Sequence, residues 1–515
     1  MIESGQGTPP AMAAPLDAVP APVESEPPGS RFPFTGSLRR QAARGTLVNG
    51  AFTVGLGLLG LIKGFVLARF LTRADFGLWG IIAVSLSTLL WVKQAGIGDK
   101  FVQQEDADQA AAFERAFTLE LAVTGVCVVV ILAAIPVLVV VYSLPALIGP
   151  SLVVAGALLV SVLQAPLWVF YRRMDFMRQR TLSAVGPIVD FVVSVGLAAA
   201  GAGIWAFAVG MAAGVTAASI AAVLASPYRL RIRWTRGAMR EYWSFSAPLL
   251  VAGGATFVWT WAAVISAKLQ LGVAAVGVIA LSDTVASFTE SVDNLVTGTL
   301  YPAICAVKDQ AAILYESLVK TNRLALMWAV PFGLGLTLFC SDLVQFGIGE
   351  RWHPAIVVLQ VYGIAAAVNH LGFNWTAYLR ALGWTRPIAV ASVAAAAVFL
   401  IAGIPLVLTI GLPGFAIGIA LQGLAALTVR AVYLHRIFPH FALGRHAVRA
   451  FLPGLGASAL VLVLRAVDGH RTLGVALGEL ALFLLASALL TWRLEGELLR
   501  EVAQQVRPLP KPAAV

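Results

Sequence analysis

The sequence predicts an all-α polytopic membrane protein of about 14 transmembrane helices: two pseudo-symmetric six-helix bundles plus two C-terminal helices, with both termini cytoplasmic. Composition, the recurrence of long apolar runs and the placement of Lys and Arg predict it. Of 515 residues, 59% are hydrophobic and 12% charged, against about 25% charged in an average soluble domain. A soluble fold has too little interior to hide that much apolar surface, so lipid is the natural solvent.

Runs of about 20 apolar residues fall near 46–67, 77–97, 115–142, 146–170, 182–201 and 203–225 in the first half. The second half offers 243–266, 275–300, 322–341, 355–379, 387–409, 413–434, 450–467 and 473–492. With a cytoplasmic N-terminus, 29 of the 36 Lys and Arg fall on the cytoplasmic side. Only Arg69, Arg73, Lys268, Arg351, Arg465 and Arg471 fall opposite, and Lys63 lies within the first span. Such a bias sets orientation, and losing one helix from the count would spoil it.

The division that follows is a disordered tail over 1–40, a six-helix bundle over 41–225 and a basic cytoplasmic linker over 226–242. A second six-helix bundle covers 243–434, a basic cytoplasmic loop 435–449, two further helices 450–492, and a cytoplasmic tail 493–515. The tail is rich in Pro, Ala, Gly, Ser and Glu without periodicity, a composition that cannot build a core. A faint repeat relates the halves: ARFLTRADFGLWGII at 68–82 resembles KLQLGVAAVGVIAL at 268–281, with Leu71 over Leu271, Ala74 over Ala274 and Gly77 over Gly277.

Net charge is +10, but the basic residues sit between apolar runs rather than on a soluble face, which excludes a nucleic-acid binder. Cys127, Cys305 and Cys340 are widely spaced, and the six histidines show no tight ligand spacing, so no metal and no cofactor are assigned. Neither G-x-x-x-x-G-K-[ST] nor a convincing G-x-G-x-x-G is present. Large extracytoplasmic loops that would house an enzyme site are missing, the longest lying near 342–354.

Ionisable groups at membrane depth are costly and face a cavity or a partner. Lys63 either snorkels to the outer interface or lines a cavity. Asp283, Glu290 and Asp293 fall within about 80° of one helix face, spread over about 15 Å. They bind a proton or sodium ion, or pair statically with cations such as Lys63 and Lys268; Glu290, central in the group, is the preferred proton carrier. Asp190 in GPIVDFVVSVG is a single intramembrane acid flanked by apolar residues. His370, Asn374 and Tyr378 recur every four residues, which on one continuous helix makes a polar stripe. That stripe serves interhelical hydrogen bonding or recognises sugar and phosphate oxygens.

The opening RGTLVNGAFTVGLGLLGLIKGFVLARFLTRADFGLWGIIAV, then GIGDKFVQQ at 96–104, YRRMDF at 171–176 and the motifs GPIVDF and GAGIWAFAVG within 186–210 resemble the polysaccharide transporter branch of the multidrug, oligosaccharidyl-lipid and polysaccharide exporter superfamily. The resemblance extends over roughly 40–435. It implies an oligosaccharide flippase of a bacterial inner membrane that moves lipid-linked oligosaccharide for lipopolysaccharide, capsule or exopolysaccharide synthesis. It also implies a non-enzymatic, functionally monomeric protein driven by a proton or sodium gradient, with membrane lipids around it and a polysaccharide polymerase or ligase as candidate protein partner. By position, Lys63, Arg69, Lys268 and Arg323 are then candidates for phosphate or gate contacts, joined by Asn374 and Tyr378 from the stripe. An ion-coupled multidrug or small-solute antiporter of the same superfamily is the alternative, which the acids on 283–293 would suit.

Overall fold

A computed structural model describes residues 36–93, 97–103, 108–173, 175–233, 260–306, 310–382, 384, 386–439, 443–467 and 470–506. Most of the expected tail 1–40, the linker beyond residue 233, the start of the seventh span and the last nine residues lie outside them. By internal contacts the chain separates into Met1–Arg44 and Gly45–Val515; the described part of the first is the beginning of α1.

Every regular element among the described residues is helical. The first set runs α1 (Gly36–Phe70), α2 (Arg73–Lys93), α3 (Ile97–Gln103), α4 (Gln109–Tyr142), α5 (Ile148–Val160), α6 (Leu167–Arg172), α7 (Phe176–Ala199) and α8 (Trp205–Ala225). The second runs α9 (260–271), α10 (Val273–Ala306), α11 (Ala311–Asp342), α12 (Ala355–Asn369), α13 (Trp375–Ala381), α14 (Arg386–Val398), α15 (Ile404–Ile410) and α16 (Leu412–Ile437). Helices α17 (Leu443–Val467) and α18 (Leu473–Val506) close the chain. Eleven described helical segments are long and apolar enough to cross a membrane, and α12 is a shorter apolar helix.

Only helices suit lipid here, because each must satisfy its backbone polar groups internally. Their ends are set by local chemistry. Asp108 caps α4 by accepting from the Ala111 amide at 3.0 Å, and Asp175 accepts from the Arg178 amide at the start of α7. At the α1–α2 turn, the Thr72 hydroxyl donates to Asp75 at 2.6 Å while the Asp75 amide donates back to that hydroxyl at 3.2 Å. This reciprocal pair satisfies helix-start groups that would otherwise be orphaned.

The structure redraws three expected segments. The span 355–379 is not one helix: α12 ends at Asn369 and α13 begins at Trp375. Gly372 at φ +72° and Asn374 at φ +66° turn the chain between them; Gly has no Cβ to clash there and Asn tolerates it. His370, Asn374 and Tyr378 therefore do not form a stripe along one helix face. The expected loop 342–354 is folded, continuing α11 as a π-helical turn over Leu343–Ile348 and then a 3-10 turn over Glu350–Trp352. Helix α18 runs to Val506, into the stretch expected to be a tail.

Among the first set, α7 packs on α8, α5 on α8, and α4 on α5 and α2; in the second, α11 packs on α12, α14 on α16, and α12 on α16 and α10. The two sets meet where α2 crosses α10. A Cβ built on Gly77 would stand 2.0 Å from the Val273 carbonyl oxygen, and one on Gly277 would stand 1.8 Å from the Arg73 carbonyl oxygen. Here the backbones touch with no room for side chains, as small residues permit in membrane helices. Gly80 faces Ala280, and Gly64 on α1 faces Thr284. These close approaches all lie at residues 273–284 of α10.

Replacing Gly77 or Gly277 by Ala forces that crossing apart. We expect each to lower stability by about 1–3 kcal/mol, read as a lower melting temperature of the purified protein. Gly196→Ala on α7, where an added Cβ meets nothing within 4 Å, leaves the melting temperature unchanged or raises it.

Candidate functional site

The crossing is reinforced at the same end of the molecule by a side-chain latch. The 3-10 turn after α11 carries Arg351 and Trp352 back to the last turn of α1. Trp352 Nε1 donates to the Ala68 carbonyl at 2.8 Å, and Arg351 Nη2 donates to the carbonyls of Ala68, at 3.1 Å, and Arg69. Those carbonyls have no partner further along α1, since the helix ends at Phe70. The Trp352 ring is fully buried and meets Phe76 edge-on at 5.0 Å, and Phe76 in turn meets Phe207 at 4.9 Å. Arg69 itself is exposed. Lys268, close to the α9–α10 turn, lies 6.0 Å from the centre of the Tyr142 ring, a cation–π arrangement.

Deeper in the first set, Lys63 Nζ on α1 contacts both carboxylate oxygens of Asp190 on α7 at 2.6 Å. Ser194, one turn further along α7, donates to the same carboxylate at 2.8 Å. Gly210 and Gly214 of α8 leave the space: a Cβ on either would fall within 3.0 Å of Asp190 or Ser194. Two charges taken out of water need this kind of mutual satisfaction. Lys63 thus pairs with Asp190 rather than with the acids of α10.

On α10, Asp283 and Glu290 are exposed, and neither has an ion-pair partner among the described residues. Glu290 lies within electrostatic reach of Asp283 and Asp293, and Tyr362 of α12 lies within reach of both Asp283 and Glu290. Past Thr284 the side chains of α10 contact the second set: Phe288 meets Trp328 and Phe332, Asp293 meets His370, and Thr297 donates to Asn374. The acids therefore begin at Asp283, beside the Thr284 contact with Gly64 of α1, and continue onto the part of α10 that meets the second set.

The break between α12 and α13 gathers the remaining polar groups. His370 Nε2 is 2.7 Å from Asp293 Oδ1. The Gly372 amide donates to Asn322 Oδ1 of α11 at 2.9 Å, and Arg430 of α16 donates to the carbonyls of Asn369 and Leu371. Tyr378 is buried, with its hydroxyl 2.8 Å from Ser317 Oγ and 3.4 Å from Thr321 Oγ1.

Arg323 stands apart from this cluster. It pairs with Glu495 of α18, which also receives Arg449 of α17 at 2.7 Å. At the other end of α17 and α18, Arg465 and Arg471 both contact Asp342 and Glu479 at 2.5–3.0 Å. These ion pairs fasten α17 and α18 to α11. Between α11 and α18 lies an apolar groove of about 400 Å³, lined by residues such as Phe332, Leu336, Phe339, Phe346, Leu480 and Phe483. Among the described residues, no group of three or more His, Cys, Asp or Glu could hold a metal ion.

The structure thus brings Asp283, Glu290 and Asp293 together on α10, sets Asn374 and Tyr378 beside the broken helix, and joins Lys63 to Asp190. Sequence reasoning gave no role to Trp352, Arg351 or Arg430, and did not connect His370 to Asp293. The four-residue spacing flagged His370 as polar at membrane depth, but its partner lies 77 positions away.

A bundle of this kind, its two helix sets meeting where α2 crosses α10, has the fold of a known class of polytopic membrane transporters. The likeness to a lipid II flippase MurJ in an inward closed conformation has a TM-score of 0.67 at 12% identity, covering 88% of this chain and 100% of that one. An inward-facing multidrug resistance MATE family transporter of the MOP superfamily matches with a TM-score of 0.60 at 13% identity, over 78% of this chain and 99% of that one. Comparison with curated protein sequences gives no match. The model of the family described as "Polysaccharide biosynthesis protein" matches residues 66–357, more than half of the chain, and the chain belongs to that family.

Two outcomes follow from the latch and the ion pair. Trp352→Phe removes one donor and leaves part of the buried indole's space empty, so we expect a loss of about 2 kcal/mol, read as a lower melting temperature. Lys63→Met or Asp190→Asn leaves one partner uncompensated and lowers stability by roughly 3 kcal/mol, whereas the double substitution recovers most of it, as thermal melting reads.

Proposed function

We propose that the chain carries a lipid-linked oligosaccharide of the polyprenyl-pyrophosphate type across a bacterial inner membrane by alternating access, supplying lipopolysaccharide, capsule or exopolysaccharide synthesis. The observation that carries this reading is the asymmetry of α10. At residues 273–277 it is pressed backbone to backbone on α2. Beyond them it presents the unpaired Asp283 and Glu290 and turns its contacts to the second set. A barrier closed at one end and a polar face beyond it are what one state of an alternating-access carrier requires. The family match over 66–357 supports a glycan substrate. The apolar groove beside α11 supports one with a long lipid portion, since such a substrate keeps its tail in an apolar phase while its head crosses.

On this reading the chain has fourteen spans with both ends cytoplasmic, its two six-helix bundles are the moving bodies, and the latch at Arg351 and Trp352 closes the outer side. Arg69 and Lys268 are the candidate cations near the outer closure for a pyrophosphate, whereas Lys63 reaches one only by leaving Asp190. Arg323 has its charge already matched by Glu495, so in this state it serves α17 and α18. A proton or sodium gradient supplies the driving force through the acids of α10. The exposed, unpaired Asp283 and Glu290 equally suit a cationic small solute, which keeps an ion-coupled antiporter as the second reading.

Purified protein in proteoliposomes, with a lipid-linked oligosaccharide in one leaflet and an imposed proton gradient, tests this. We expect gradient-dependent movement that Glu290→Gln slows at least tenfold and that Lys63→Ala also reduces. No movement by folded protein, together with gradient-driven efflux of a cationic dye, would replace the glycolipid reading with the antiporter.

A further inference from the structure

Arg430 of α16 leaves one edge of its guanidinium unused. Nη1 donates to the Asn369 and Leu371 carbonyls, completing the end of α12. Nε is buried with no partner, and Nη2 donates to nothing among the described residues. These two nitrogens form the fork with which a guanidinium holds two oxygens of one anion. No carboxylate occupies it: Asp293, which lies within electrostatic reach, is in contact with His370 at 2.7 Å. The guanidinium lies instead over the Trp375 ring, 5.7 Å from its centre. A cation enclosed among membrane helices without a counter-charge is unfavourable.

Arg430 lines a cavity of about 280 Å³ between α13, α14 and α16. Thr376 brings a hydroxyl that has no partner among the described residues. Gln422, two turns before Arg430 and about 12 Å away along α16, also lines the cavity and keeps Oε1 buried without a partner. Alanines 391, 395 and 426 make much of the remaining wall apolar. The cavity lies toward one set of helix ends, since α13 ends at Ala381, α14 begins at Arg386 and α16 ends at Ile437. Arg380 and Arg386 are exposed at those ends, a basic rim of the kind that attracts anionic headgroups. Helix α14 packs on α13 and α16, and its Val390 and Val393 are 38% and 59% exposed, which marks that flank as lipid-facing. Ser392, exposed between them in sequence, also lines the cavity, so the mouth opens toward lipid.

We propose that this cavity binds one glycerophospholipid of net negative charge. Two phosphate oxygens fill the Arg430 fork, and a third accepts from Thr376. The glycerol ester region runs toward Gln422, whose amide offers both a donor and an acceptor. A carboxylate would fill the fork but leave Thr376 without an acceptor, and water brings no negative charge. A zwitterionic lipid carries the same phosphate together with an ammonium that the Arg380 and Arg386 rim repels. Because Arg430 also holds the carbonyls on either side of His370, a lipid on its free edge fixes the turn between α12 and α13 and joins α13, α14 and α16. The site stands whichever solute the protein moves.

The full chain, purified in detergent and freed of lipid, is titrated with short-chain phosphatidylglycerol, short-chain phosphatidylcholine or glycerol 3-phosphate. Native mass spectrometry counts bound ligand, and thermal melting reads stability. We expect phosphatidylglycerol to be retained with a higher melting temperature, and phosphatidylcholine to bind about tenfold more weakly. Arg430→Lys keeps the charge without the fork and should weaken phosphatidylglycerol by about tenfold. Since Arg430 also completes α12, a second variant leaves it in place: Ser392→Trp plugs the mouth and should abolish the retained lipid while the lipid-free protein melts as before. Glycerol 3-phosphate should neither bind nor compete; if it binds as well as the lipid, the ligand is a soluble phosphate ester and the lipid assignment falls. Retention that survives Ser392→Trp puts the lipid elsewhere, and equal binding of the two lipids removes the part played by charge; either overturns the site. No retained lipid at all overturns it too, the cavity then holding water.

Discussion

The rest of the structure depends on one contact, the crossing of α2 and α10 where Gly77 and Gly277 let the backbones meet. In lipid there is no hydrophobic gain in bringing two helices together, so association rests on close packing and on polar contacts. Glycine supplies the packing here because any larger residue would collide with a carbonyl oxygen of the opposite helix. Once α2 and α10 are held this closely, the ends of α1 and α11 are brought within reach. Trp352 and Arg351 can then complete carbonyls that α1 leaves unfilled at its terminus. Further along α10, Asp283 and Glu290 are exposed.

The charged side chains named above fall into two populations. Lys63 with Asp190, Arg323 and Arg449 with Glu495, and Arg465 and Arg471 with Asp342 and Glu479 are matched between helices and act as fasteners. Asp283 and Glu290 are not matched, and they stand close enough to one another to repel. Two like charges left together without a partner are costly, and they set this part of α10 apart from the paired charges.

The all-helical, membrane-crossing character was legible in the sequence because lipid imposes a simple code of long apolar runs. The weak repeat at 68–82 and 268–281 aligned Gly77 with Gly277, and those two glycines face each other in the crossing. The site was less legible. Lys63 and Asp190 are 127 positions apart, and periodicity within one helix carries no information about which neighbour a side chain meets. Spacing of three and seven did place Asp283, Glu290 and Asp293 on one side of α10. The stripe of His370, Asn374 and Tyr378 failed for a different reason: its period was right for a helix, but Gly372 and Asn374 adopt positive φ, and the hydrogen bonds from Arg430 and to Asn322 hold the chain in that turn. Helix propensity is a weak prior against such tertiary contacts.

The four-charge cluster of Arg465, Arg471, Asp342 and Glu479 has a consequence for how the last two helices behave. Asp342 terminates α11, the helix whose continuation carries the Arg351–Trp352 turn. Its carboxylate is neutralised by residues that α17 and the α17–α18 connection supply. Helices α17 and α18 are thereby a structural extension of α11 rather than an independent pair riding beside the bundle. Any tilt of α11 drags them along, and with them the wall of the apolar groove. The groove between α11 and α18 is therefore walled on both sides by helices that one salt-bridged corner holds together.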